Sequence, residues 1–206
     1  MKTLEKTVTR KDFFKEIFQL FRNGGVATET ESHARQLQKY ILPPGAGNEA
    51  QFLQQCNQCQ ACVSACPHFA IQICRDETSH LYGYPVIAPR QQACYLCRDF
   101  PCIQACPTDA LSTANHPQKL GTARIHAARC LDYLQGFCQS CLNHCPHMGR
   151  AIFRNATGQL HINPQHCTGC GICVMVCVQE QSAIEILPVQ NEPMAFTENV
   201  SSNRDP

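Results

Sequence analysis

The sequence predicts an α+β chain of two tandem modules, each made of cysteine loops, short helices and short strands, preceded by an N-terminal amphipathic helix. Three observations carry this prediction. Seventeen cysteines occur in 206 residues, and sixteen of them fall into four groups of four. Short apolar pieces of β character follow the groups at Ala70-Ile71-Gln72-Ile73, Ala110-Leu111, Ala151-Ile152-Phe153 and Ala183-Ile184-Glu185-Ile186, and others precede them at Tyr84-Pro85-Val86-Ile87 and Leu160-His161-Ile162. The order is therefore cluster loop, helix, strand, turn, strand, cluster loop, and it repeats.

Group one is Cys56, Cys59, Cys62 and Cys66, followed by Pro67. Its spacing is that of the loop which binds a [4Fe–4S] cluster in bacterial ferredoxins. Three thiolates wrap one cuboidal cluster, and the fourth, expected at the start of a helix, reaches a second one. A single run is thus half of a pair. Group two is Cys94, Cys97, Cys102 and Cys106, followed by Pro107, with two extra residues before its third thiol. Group three is Cys138, Cys141 and Cys145, followed by Pro146, with Cys130 as an outlying member separated from Cys138 by seven residues. Group four is Cys167, Cys170, Cys173 and Cys177, where Gly169 and Gly171 allow the backbone to wrap closely and turn N–H groups toward sulfur.

Four groups of four thiols fit four [4Fe–4S] clusters, and the fold class is tandem bacterial-ferredoxin-like modules, a duplicated 2[4Fe–4S] unit. Structural zinc would be expected as two CxxC pairs separated by a longer loop. With crossover of the fourth cysteine, Cys56, Cys59, Cys62 and Cys106 would hold one cluster, and Cys94, Cys97, Cys102 and Cys66 the next. The same rule gives Cys130, Cys138, Cys141 and Cys177, then Cys167, Cys170, Cys173 and Cys145. The alternative nests the groups, one with four and two with three; contiguity favours the first.

The expected boundaries are an N-terminal helix and linker over 1–42, a first module over 43–117, a second over 118–190 and a disordered tail over 191–206. Over 11–21 the residues Phe14, Ile17, Phe18 and Phe21 recur at helical spacing, with Thr9 and Asp12 as a capping box and Asn23-Gly24-Gly25 as a stop. This stripe packs on the body or serves as a docking helix. Around it, Thr9 to Lys15 resembles a twin-arginine export motif with lysine for the second arginine, and no apolar region follows. The expectation is a cytoplasmic protein with reduced thiols, the alternative being a periplasmic one exported by a degenerate signal.

Other chemistries find little support. A formal net charge of +1 provides no field for nucleic acid or an anionic membrane surface, and no stretch approaches eighteen apolar residues. Neither a glycine-rich nucleotide loop nor a CxxCH haem motif occurs, so no enzyme activity and no catalytic residue is expected. The seventeenth cysteine, Cys74, reads as a small apolar side chain in a buried strand, with a reactive thiol as the weaker alternative. His68, His144 and His147 lie near the cysteine groups as neighbours rather than ligands.

Taken together, these motifs resemble the NapF/NapG/MauM group, ferredoxin-type accessory proteins of the periplasmic nitrate reductase and methylamine-utilisation systems. The resemblance covers about 43–188. It rests on Pro43-Pro44-Gly45-Ala46, group one, and Cys94-Tyr-Leu-Cys97-Arg-Asp-Phe-Pro-Cys102-Ile-Gln-Ala-Cys106-Pro107. The stretched Cys130-Leu-Asp-Tyr-Leu-Gln-Gly-Phe-Cys138 and the run from Cys167 to Cys177-Val178-Gln-Glu-Gln-Ser-Ala-Ile184 belong to it as well. The resemblance implies that the long gap after Cys130 is a family trait and that Cys130 is a ligand. It also implies an electron carrier with a redox partner protein, either a molybdenum-containing reductase or a membrane quinol-oxidising subunit. A cytoplasmic accessory factor that docks a molybdenum reductase, and an iron–sulfur subunit of a larger oxidoreductase complex, are the alternative roles.

Overall fold

The structure, a computed structural model, describes residues 40–115 and 118–189. The amphipathic helix expected over 11–21 and the tail expected from 191 lie outside the described residues.

In the first module, α1 (Glu49–Gln55) begins where the Asn48 side chain accepts the Gln51 N–H at 2.8 Å, satisfying one of the donors a helix start leaves unpaired. Its one buried residue, Phe52, tilts against the Tyr84 ring at 6.2 Å. Next come α2 (Ala61–Ser64), β1 (Ile71–Ile73), β2 (Pro85–Ile87) and α3 (Pro101–Gln104). The second module contains β3 (Gly121–Ile125), α4 (Leu131–Gln135), α5 (Ser140–His144), β4 (Ile152–Arg154), β5 (Leu160–Ile162), α6 (Ile172–Met175) and β6 (Ile184–Pro188).

The hairpins between successive cysteine groups are as the apolar pieces predict. β1 pairs antiparallel with β2, Ile71 facing Ile87, and β4 with β5, Ile152 facing Ile162. Ile41 extends the first hairpin by a reciprocal backbone pair with Ile87. These side chains share one core with Phe52, Leu111, Leu160, Ile184 and Ile186, in which Cys62, Cys66, Cys94, Cys102 and Cys141 are also buried. The cysteines are part of the packing, so cluster chemistry and folding act on the same residues.

Three features differ from the sequence reading. β3 has no counterpart among the expected strands, yet it pairs with β6 along its whole length, from Gly121 opposite Pro188 to Ile125 opposite Ile184, and closes the second module. Ala110 and Leu111 are buried but form no strand. They line a cavity with Cys56, Cys59, Cys62 and Cys106 instead, and the backbone bond that follows them runs from the Ser112 N–H to the Gly45 carbonyl at 2.8 Å. Finally, the fourth cysteine of each group lies just past the end of a helix rather than at its start. α2, α3, α5 and α6 each contain the third cysteine, Cys62, Cys102, Cys141 and Cys173, and each ends shortly before the fourth. A helix of about one turn therefore carries two consecutive thiols of a group to different places.

Candidate cluster-binding sites

The sixteen grouped cysteines line four cavities, four to each. Cavity A is lined by Cys56, Cys59, Cys62 and Cys106. Cavity B is lined by Cys66, Cys94, Cys97 and Cys102, cavity C by Cys130, Cys138, Cys141 and Cys177, and cavity D by Cys145, Cys167, Cys170 and Cys173. Cys66 and Cys106 change places between groups one and two, as Cys145 and Cys177 do between groups three and four. Cys66 thus lies with group two, not group four, and Cys130 joins group three despite its distance in sequence.

The local backbone explains how a short loop presents three thiols inward. In groups one, two and four the residue two positions after the first cysteine is left-handed: Gln58 (φ 58°), Leu96 (φ 48°) and Gly169 (φ 69°). The residue two positions before the third is left-handed too: Gln60 (φ 64°), Phe100 (φ 46°) and Gly171 (φ 86°). Four of these six are not glycine, and each costs on the order of 1 kcal/mol or more. The close approach is strictest at Gly169, where a Cβ would lie 2.4 Å from the Gly121 nitrogen at the start of β3.

Amide N–H groups turn toward sulfur at several positions. Ala70 donates to Cys66 Sγ at 3.3 Å, Leu96 to Cys94 Sγ at 3.4 Å, Ala123 to Cys167 Sγ at 3.3 Å and Ala183 to Cys177 Sγ at 3.4 Å. Such donors stabilise negative charge on the sulfurs. Burial, and then the neighbouring thiols, work in the opposite direction. Burial together with Cys56 and Cys102 pushes the Cys62 thiol up to about 12, and burial together with Cys130, Cys138 and Cys177 pushes Cys141 up to about 12. Burial raises Cys94 to about 12 and Cys102 to about 11, and raises Cys173 well above its ordinary value. Cys106 goes the other way: burial raises it, but N–H donors of Leu111, Thr108 and Ala110 with the Thr108 hydroxyl outweigh that and lower it.

This donor set fits a cationic iron–sulfur core. Four converging, partly buried thiolates repel one another unless positive charge sits among them, and a metal group supplies it. Among the described residues no three His, Cys, Asp or Glu side chains are grouped as a single-ion site, and the sixteen thiols instead line the four cavities.

The remaining candidates stand apart. His68 stacks on Tyr95 at 4.5 Å beside cavity B, and His144 Nδ1 donates to the Ser140 carbonyl at 2.8 Å. His147 lines cavity D beside Cys145. Cys74 follows β1 rather than belonging to it, is 1% exposed, packs with Leu81 and Val86, and lines none of the four cavities. Replacing Cys74 with alanine is expected to leave the iron content unchanged and to cost about 1 kcal/mol of stability; lost iron would place Cys74 among the ligands. Two groups that sequence reasoning did not single out also matter. Asp132, two residues after Cys130, accepts both guanidinium nitrogens of Arg154 at 2.6 and 3.1 Å, and Arg90 spans the modules. No spacing signal marks either, because their partners are distant in sequence.

Fold and cavities together define a ferredoxin-type iron–sulfur protein. Residues 55–110 match a family described as a 4Fe-4S dicluster domain, and residues 122–178 match a second family of the same description. Two dicluster domains imply four [4Fe–4S] clusters. The methylamine utilization ferredoxin-type protein MauM of Paracoccus denitrificans is 36% identical over 159 residues, 72% of this chain and 71% of that protein. The ferredoxin-type protein NapG of Escherichia coli is 34% identical over 165 residues, 72% and 71% of the two chains. NapF of the same organism is 31% identical over 140 residues, 66% of this chain and 79% of the relative. The chain belongs to this MauM, NapG and NapF family of ferredoxin-type proteins, whose members are electron carriers or accessory proteins rather than enzymes.

Proposed function

We propose that the chain relays single electrons to or from a redox enzyme of the nitrate-reductase type, using one cluster in each of the four cavities. Cys56, Cys59, Cys62 and Cys106 hold the first; Cys66, Cys94, Cys97 and Cys102 the second; Cys130, Cys138, Cys141 and Cys177 the third; and Cys145, Cys167, Cys170 and Cys173 the fourth. The observation that carries this reading is the exchange of the fourth thiol within each pair of groups, which leaves every cavity with four thiols and no grouped cysteine over.

Each cluster, when bound, takes up and releases one electron at a potential set by its surroundings. The protein's part is to fix the thiols, donate N–H groups to sulfur and exclude water. Relatives named for methylamine utilisation and the likeness to NapG support a partner that is itself a redox enzyme. A potentiometric titration followed by electron paramagnetic resonance (EPR) is expected to show reversible one-electron reductions within the range of about −700 to +450 mV spanned by such clusters. No reversible reduction in that range would rule out the relay.

A further inference from the structure

We infer that the four clusters form one unbranched series in the order A, B, D, C, with electrons crossing between the modules at a junction made by Pro89, Arg90 and Cys94 on one side and Cys170, Gly171 and Val174 on the other. This rests on the ligand sets proposed above.

Within each module the neighbours follow from the helices. α2 carries Cys62 into cavity A and delivers Cys66 to B, while α3 carries Cys102 into B and delivers Cys106 to A. With a rise of about 1.5 Å per residue, one-turn helices keep these pairs close. In the second module α5 joins C to D through Cys141 and Cys145, and α6 joins D to C through Cys173 and Cys177.

Between modules the main chains of two ligand loops meet. The Cys94 N–H, in a residue lining B, donates to the carbonyl of Cys170, which lines D, at 2.9 Å. Beside it, a Cβ on Gly171 would lie 2.7 Å from Pro89 Cβ, so the loop of group four lies against the proline ring at a separation only glycine allows. Arg90 reaches past this contact to the end of α6, where its guanidinium donates to the carbonyls of Val174 at 3.3 Å, Cys177 at 2.6 Å and Gln179 at 2.7 Å. It is a positioning residue: it holds the segment between the Cys173 and Cys177 thiols against the first module. Each of the four cavities is lined by residues of its own module, so it is the main-chain contact of the Cys94 and Cys170 loops that sets B beside D. With clusters held in B and D, one electron would pass between them across this junction, one cluster being oxidised as the other is reduced, and no bond or proton would change place.

The test uses full-length chains reduced with dithionite. Cys59→Ala with Cys138→Ala removes the clusters of A and C, and Cys97→Ala with Cys167→Ala removes those of B and D, so both variants should hold half the wild-type iron. The first is expected to give an EPR spectrum broadened by spin coupling between B and D, the second two uncoupled signals. The reverse pattern would overturn the order while leaving the ligand sets intact, whereas wild-type iron well below four clusters would overturn those sets instead. Should either variant fail to fold, Arg90→Ala in the intact chain decides. Iron is expected at the wild-type level with the spin-coupled broadening of the fully reduced chain measurably narrowed; an unchanged spectrum overturns the junction.

Discussion

Stripping the clusters from the intact chain, by chelation with exposure to oxygen, is expected to unfold residues 40–189 in one transition and abolish most of the far-ultraviolet circular dichroism. The elements are too short to stand alone. Among the described residues, four of the six α-helices have four or five residues around a cluster-directed cysteine, where isolated helices below about 12–15 residues are marginal. Each sheet of the described residues has two strands, four of these six strands being three residues long, and two-stranded hairpins are barely stable in water. Much of the core is cysteine, and the left-handed residues Gln58, Gln60, Leu96 and Phe100 oppose folding until a cluster draws the loop around itself. Folding and metal insertion are then one event, as in other small metal-dependent domains. Dichroism that survives complete loss of iron would show that the polypeptide holds its fold unaided.

Replacing Arg154 with leucine is expected to destabilise the second module by about 3 kcal/mol, the lower end of what breaking a buried ion pair from one side costs. The Asp132 side chain is 3% exposed and accepts two hydrogen bonds from Arg154, which also donates to the Gly158 carbonyl at 2.5 Å. Without the guanidinium, a buried carboxylate remains with no cation, two residues from the Cys130 thiol. The Arg154 side chain is 27% exposed, so water can soften the loss, which is why the lower figure is chosen. Denaturation midpoints measure the loss, and iron retained against a mild chelator should fall first by about one cluster in four, the one in cavity C. Replacing Asp132 with leucine as well is expected to recover much of the stability, because it removes the unpaired charge rather than restoring the bond. A single variant as stable as the parent would mean that the pair contributes little.

These two cases also mark what could and could not be seen in the amino-acid sequence. Thiol spacing is a local signal, since the loop that wraps a cluster is short; groups one, two and four, and the hairpins at Ile71 and Ile152, are legible for that reason. The exchange of Cys66 with Cys106 follows from the same spacing once contiguous groups pair. β3 was not legible: Gly121-Thr122-Ala123-Arg124-Ile125 carries little apolar alternation, and its partner Ile184–Pro188 lies at the far end of the module. Glu185 on β6, buried and bonded to Arg124 across that ladder, shows that cross-strand charge pairing supports the strand where side-chain hydrophobicity does not. Left-handed glutamines, a leucine and a phenylalanine leave no mark in composition, since there the demand of the loop overrides the residue's own preference. Arg90 and the Asp132–Arg154 pair are long-range contacts between polar groups, and single charged residues in sequence do not announce partners.

Iron and acid-labile sulfide per chain, measured on protein purified without oxygen, test the four-cluster assignment most directly. Four clusters of four irons predict about sixteen of each. About eight of each, or zinc in place of iron, would contradict it.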